Sequence, residues 1–237
     1  MPPAVVQIAP SIFRIPTLGD FINSFALADD DGQVTLVDCG LKRAPARIVR
    51  GLTAIGKSPR DVTRILLTHA HNDHAGGAAR ILETSGATCV QVHHADADFL
   101  RTGTAPPRDA STGLGRLFQR LPGGGFSPIE QVQELHDGAV LDVAGGLRVV
   151  HTPGHTPGHI SLLHADSQTL ITGDALFNMN ARMSWPFSAF CTSFEQTKRT
   201  AALLADLDYR TAAFTHGPEI RDTGRDAVRS FLSRRSS

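Results

Sequence analysis

Thr68-His69-Ala70-His71-Asn72-Asp73-His74-Ala75-Gly76-Gly77 sets four metal-capable side chains within six positions. The run follows Arg64 to Leu67, a short apolar segment that reads as a strand. It precedes Ala78, Ile81 and Leu82, whose three- and four-residue spacing places them on one helix face. Strand, polar turn and helix therefore frame the cluster. Neutral imidazole and carboxylate suit zinc and other divalent first-row ions, and a tight turn can aim alternating side chains at two neighbouring centres. Structural histidines rarely gather this way.

The same layout recurs downstream, with a metal-capable residue just after a short apolar run. His155 stands in Thr152-Pro-Gly-His155-Thr-Pro-Gly-His159, Asp174 in Ile171-Thr-Gly-Asp174, and His216 in Phe214-Thr-His216-Gly-Pro218. Val34 to Val37, Leu147 to Val150, Leu170 to Thr172 and Thr211 to Phe214 read as further strands. Helical stripes are formed by Ile48, Val49, Leu52 and Ile55, by Leu203, Leu204 and Leu207, and by Ala227, Val228, Phe231 and Leu232. Ser193, with Gln196 three residues on, reads as the cap of the second of these. This is a mixed α/β chain in which sheets pack together under helices, and strand ends from distant parts of the chain can build one rigid site.

The His-x-His-x-Asp-His run, the later histidine, the aspartate in Gly-Asp and the last histidine, in this order, resemble the metallo-β-lactamase-fold superfamily, in its glyoxalase II and lactonase-like branch. The match runs from Asp38 to His216. The resemblance implies a four-layer αβ/βα sandwich, two mixed sheets face to face with helices outside. It implies two divalent metal ions, zinc first, with iron or manganese as alternatives. His69, His71 and His155 would bind one, Asp73, His74 and His216 the other, and Asp174 would bridge them. Asp73 would also act catalytically, orienting a hydroxide or passing its proton to the leaving group. Asp38 and His159 would support the ligands from behind. The implied reaction is cleavage of an ester, lactone or thioester of a small molecule by a metal-bridging hydroxide.

Within that family two departures bear on the substrate. Glyoxalase II carries a C-terminal helical region for its glutathione thioester, whereas 21 residues follow His216 here. Lactonases of this type place a tyrosine three positions after the bridging aspartate, and this chain has Phe177. Two rival readings stand beside the hydrolase, a mononuclear iron persulfide dioxygenase and a metal-binding protein without turnover.

The rest of the chain sets bounds. Its 237 residues, 41% of them hydrophobic, suit one domain over 1–237. Arg101 to Glu130, rich in proline and glycine, reads as an inserted loop, with a lid among its roles and Leu117 and Phe118 as wall residues. Met183, Trp185, Phe187 and Phe190 offer further apolar surface for a pocket. The 23 basic and 23 acidic residues cancel, which argues against a nucleic-acid partner. No apolar run approaches the roughly 20 residues that span a bilayer, and no secretory leader is recognisable. The expectation is a cytoplasmic protein acting on a small molecule, as a monomer or homodimer. Cys39, Cys89 and Cys191 read as reduced core residues. His93, His94, His136 and His164 read as surface or loop residues, and His151 as a weaker neighbour of the site than His159.

Overall fold

The structure, a computed structural model, describes residues 3–109, 111 and 124–234. The first sheet takes its seven strands in chain order: β1 (Val6–Ala9), β2 (Ile12–Pro16), β3 (Asn23–Ala28), β4 (Val34–Val37), β5 (Val62–Leu66), β6 (Val90–His93) and β7 (Val132–Leu135). Pairing is antiparallel from β1 to β4 and parallel from β4 to β7. Parallel neighbours need a crossover. α1 (Pro45–Ala54), α3 (Ala78–Thr84, after the single turn α2, Asn72–Ala75) and α4 (His94–Thr102) supply the helices of the three connections. The carboxyl ends of β4, β5, β6 and β7 consequently share one edge.

The second sheet has the order β12-β11-β10-β9-β8, from β8 (Val140–Leu141), β9 (Leu147–His151), β10 (Ile160–His164), β11 (Thr169–Ile171) and β12 (Thr211–Ala213). Only β11 and β12 pair in parallel, through a connection containing α5 (Phe194–Ala201). α6 (Gly224–Ser233) follows β12.

Three apolar layers separate four layers of secondary structure. Leu36, Ile48, Leu52, Ile65, Ile81 and Leu100 fill the space between the first sheet and its helices. Phe25, Val37, Leu66, Val149, Leu162 and Ile171 lie between the sheets. Leu163, Leu170, Leu204, Phe214, Val228 and Phe231 join the second sheet to α5 and α6. Successive strand residues point to opposite faces, so Ile65 enters the outer layer and Leu66 the inner one, as do Leu163 and Leu162. Strands covered on both faces are rich in apolar residues, which is why β4, β5, β9, β11 and β12 were visible in the sequence. The architecture is the expected α/β sandwich of two mixed sheets with helices outside.

Element ends differ from the sequence reading where side chains replace backbone pairing. β5 starts at Val62 and stops at Leu66, because the Thr68 amide turns to an Asp38 carboxylate oxygen instead of a neighbouring strand. Ser193 does cap α5, its hydroxyl accepting from the Gln196 amide, but the helix ends at Ala201 and tightens into a 3₁₀ turn at Ala202–Ala205. Leu203 is thereby left about half exposed rather than on a buried face. His93 and His164 are buried, not surface residues: His164 lies in β10 and bonds the Ala144 carbonyl and Ser167 hydroxyl, while His93 ends β6 and caps α4. His94 and His136 are exposed. Of the inserted segment, Asp109 is tied to the Cys191 carbonyl and the Phe194 amide, and Ile129 packs into the outer core. Residues 112–123, with Leu117 and Phe118, lie outside the described residues. Among those described, no helix is long and apolar enough to cross a membrane.

Candidate metal centre

The site is assembled where the carboxyl ends of β4, β5, β9, β11 and β12 converge. Directly after β4, Asp38 adopts the left-handed conformation (φ 59°) and is fully buried. Its carboxylate accepts from the Thr68 amide (2.8 Å) and hydroxyl (2.8 Å) and from His74 Nδ1 (2.8 Å). The His74 proton is thereby held on Nδ1 and its Nε2 lone pair is turned inward. The turn that follows packs so closely that a Cβ at Gly77 would meet the Cys39 carbonyl oxygen at 2.4 Å.

All seven residues expected as ligands meet here. His71 Nδ1 lies 3.1 Å from His69 Nε2 and 3.0 Å from His155 Nε2. Asp73 Oδ2 lies 3.4 Å from His216 Nε2 and 3.7 Å from His74 Nε2. Asp174 stands between the two groups, with Oδ2 3.1 Å from His155 Nε2 and 3.3 Å from His216 Nε2, and Oδ1 3.4 Å from His74 Nε2. Within each of the trios His69–His71–His155, His69–His74–Asp174 and Asp73–His74–His216, the donor atoms lie within 4.8 Å of one another. Two buried ring nitrogens, Nε2 of His74 and of His216, have no hydrogen-bond partner. Buried imidazole nitrogens left without a hydrogen-bond partner among carboxylates fit divalent cations.

The histidine rings are braced from behind. Thr68 Oγ1 meets His69 Nδ1 at 3.0 Å, the Phe21 carbonyl meets His216 Nδ1 at 2.5 Å, and Cys191 Sγ lies 3.5 Å from His155 Nδ1. His159 is set back: its Nε2 accepts from the Asp174 amide (2.7 Å) and its Nδ1 faces Thr152. Gly173, at φ 54°, makes this approach possible, since a Cβ there would stand 2.5 Å from His159 Nε2. Gly173→Ala is expected to destabilise the fold by about 1–3 kcal/mol through backbone strain and that clash, read as a lower denaturation midpoint.

Two supporting residues escaped the sequence reading. Asp96, on α4, accepts from the Ala70 amide, the Thr156 hydroxyl and the Gly158 amide, and so clamps the two main histidine loops together. Asn23 donates to the Phe214 and Gly217 carbonyls on either side of His216. Neither sits in a local motif, so only the tertiary fold reveals them.

Burial, reinforced by neighbouring histidines, holds His69 well below the usual histidine range and brings His71 and His159 to about 3. Burial also opposes charge on His155 and His216, yet Asp174 beside them raises these to about 9 and about 10. Burial opposes charge on His74 too, yet Asp174, Asp73 and Asp38 hold it well above the usual histidine range. In the metal-free protein at pH 7 His74, His155 and His216 therefore carry extra protons, which a metal must displace to reach their lone pairs. Metal uptake is expected to release protons and to tighten as pH rises from 7 toward 9. Calorimetry in buffers of differing ionisation enthalpy reads this directly, and an uptake without proton release would contradict it.

Above the site opens a cavity of about 360 Å³. His71, Asp73, His155, Asp174 and His216 face it from the metal-centre side, and Leu41, Pro106, Phe177, Met179, Phe187 and Phe190 give it apolar walls. Met183 and Trp185 do not line it; both pack toward the second-sheet core, Trp185 against Phe231. Phe177 occupies the position after Asp174 noted in the sequence, its ring 4.3 Å from that of His216.

Comparison with known proteins agrees with this geometry. The family model of the metallo-beta-lactamase superfamily matches residues 18–216. The uncharacterized protein YobT of Bacillus subtilis is 30% identical over 208 residues, covering 82% of this chain and 83% of its own. The probable metallo-hydrolase YybB of the same organism is 26% identical over 210 residues, covering 87% and 83%. Hydroxyacylglutathione hydrolase GloC of Haemophilus influenzae is 26% identical over 164 residues, covering 69% and 70%. The crystal structure of metallo-beta-lactamase SMB-1 bound to 2-mercaptoethanesulfonate superposes with a TM-score of 0.76 at 21% identity, over 99% of this chain and 95% of that one. With the family model spanning both the histidine run and His216, and the sandwich matching throughout, the chain belongs to the metallo-β-lactamase superfamily and is a hydrolase of that fold.

Proposed function

We propose that the protein hydrolyses an apolar small-molecule ester, lactone or thioester, using two divalent metal ions of which zinc is the first choice. The observation that carries this reading is Asp174, whose carboxylate faces two histidine groups beneath an apolar cavity. In it, His69, His71 and His155 hold one ion, Asp73, His74 and His216 the other, and Asp174 both. When bound, such ions would supply a hydroxide nucleophile near neutral pH and a charge clamp for the carbonyl oxygen.

The remaining tasks fall to the chain. Asp73 is the ligand carboxylate with solvent access, its side chain 32% exposed at the cavity, and it takes up the proton of the attacking water and returns it to the leaving group. Phe177 offers no phenolic hydroxyl, so the carbonyl is not held by a tyrosine donor. Phe187 and Phe190 shield the reacting bond from bulk water and accept the apolar part of the substrate. The relative GloC, named hydroxyacylglutathione hydrolase, supports a thioester among the substrates, and the largely apolar wall, with Arg108 and Asn72 as further polar members, suits a small acyl group. The three cysteines are free, which suits a reducing cytoplasm, and the balanced charge suits a small-molecule partner rather than nucleic acid.

The test is a panel of aliphatic and aryl esters, lactones and thioesters assayed on chelator-stripped protein and after reloading with zinc, manganese or iron. Stripping is expected to abolish turnover and zinc to restore it. Inert zinc-loaded protein together with oxygen consumption on a persulfide by the iron-loaded form would replace this reading with the dioxygenase. Within the panel, Phe187→Ala is expected to raise KM for long-chain esters by roughly tenfold with kcat little changed, because about 1–2 kcal/mol of apolar contact is lost equally from ground and transition states.

A further inference from the structure

Four histidines unused by the metal centre meet one strand farther along the same edge. β6 ends at His93, which pairs in register with Leu135, the last residue of β7. His94 and His136 follow directly after, and from the second sheet β9 ends at His151. Their rings form a contiguous group: His93 stacks on His151 with centroids 3.9 Å apart and planes 17° from parallel, His94 lies 4.4 Å from His93, and His136 lies 4.9 Å from His94. Three separate chain segments thus deliver imidazoles to one spot, where the sequence showed only scattered histidines.

We propose that His93, His94, His136 and His151 bind one divalent transition-metal ion of the zinc, nickel or copper class, at a site separate from the hydrolytic centre. Several features favour a cation there. His151 Nε2 faces the Pro157 carbonyl at 2.9 Å, which fixes its proton on that nitrogen and leaves the Nδ1 lone pair available, the arrangement typical of a metal-binding imidazole. Asp137 accepts from the His151 amide through Oδ1 and adds a negative charge beside the rings. Burial and the three other histidines bring His93 down to about 4, so that ring is uncharged at physiological pH. His94 and His136 are exposed, so their rings can rotate to close around an ion seated against His93 and His151. Soft-to-borderline divalent ions are the class that such an all-imidazole group selects. None of the four belongs to the trios of donor atoms at the hydrolytic site, which keeps the two separable by mutation.

The experiment is equilibrium dialysis of the full chain against zinc, with bound metal counted in the wild type and in His94→Ala/His136→Ala. Both changed side chains are exposed, and hydrolase activity and melting temperature are expected to stay at wild-type values. The double variant is expected to bind one equivalent fewer, a difference that does not depend on how many ions the hydrolytic centre takes. Equal stoichiometry in the two proteins overturns the proposal. As a check independent of the variants' folding, the imidazole Cε1–H resonances of His93 and His151 in the wild type are expected to shift together as zinc is added; their remaining fixed through saturation would also overturn it.

Discussion

Asp174→Ala is expected to lower kcat/KM by roughly a thousandfold or more and to leave the chain with at most one tightly held ion. Loss of a charge-bearing group from a preorganised site is felt on that scale. Asp174 lies within reach of both histidine groups, 3.1 Å from His155, 3.3 Å from His216 and 3.4 Å from His74. Its carboxylate stays ionised although burial opposes this, because His216, His74 and His155 surround it. Alanine removes that charge and also the acceptor for the Thr215 hydroxyl, which donates to Oδ1 at 2.7 Å. The stability loss is smaller than for an ordinary broken buried ion pair, since the histidines can shed their protons and become neutral rather than remain as uncompensated cations. Asp174→Asn separates the two effects. It keeps an acceptor for Thr215 and the side-chain volume, so the melting temperature should stay close to wild type while metal content and turnover fall as in the alanine variant. An asparagine variant that retains two ions and activity within tenfold of wild type would sink the bridging role.

What the sequence revealed and what it hid follow from how local each feature is. The histidine run was legible because one turn, from His69 to His74, carries its own ligands. His155, Asp174 and His216 were legible because each lies just past a short, largely apolar strand. β1, β2 and β3 were not recognised; in β2, for example, Arg14 interrupts the apolar pattern, being buried by its ion pairs with Asp20 and Glu219 rather than by apolar contacts. Asp96 was hidden for another reason. Its three hydrogen-bond partners lie 26, 60 and 62 residues away, so no spacing rule reaches them. The group formed by His93, His94, His136 and His151 was hidden in the same way, since only the register of β6 on β7 and the facing end of β9 unite it. Phe187 and Phe190 could not be told from Met183 and Trp185 because all four are apolar residues in an irregular segment, and only the packing of Trp185 on Phe231 divides them.

Asp38→Ala is expected to cost about 3–5 kcal/mol of stability and to weaken metal binding by about 10–100-fold, although Asp38 is not itself among the converging donor atoms. Four contributions add to the stability loss. The Thr68 amide and the Thr68 hydroxyl lose their acceptor in a region closed to water, and so does His74 Nδ1. The backbone at φ 59° suits aspartate or asparagine and strains alanine. Asp38→Asn divides structure from chemistry, because asparagine tolerates the same φ and its carbonyl can still accept from Thr68. Its amide NH₂ then faces His74 Nδ1 and can only donate, so His74 must give up the proton there and carry it on Nε2, the nitrogen aimed at Asp174 and Asp73. That tautomer has no lone pair to offer the metal. The asparagine variant should consequently melt within a few degrees of wild type yet retain weakened metal binding and low turnover, with its His74 ring signals reporting the exchanged tautomer by nitrogen-15 shifts. Wild-type metal affinity in Asp38→Asn would show that Asp38 merely closes the turn after β4 and does not set the protonation of His74.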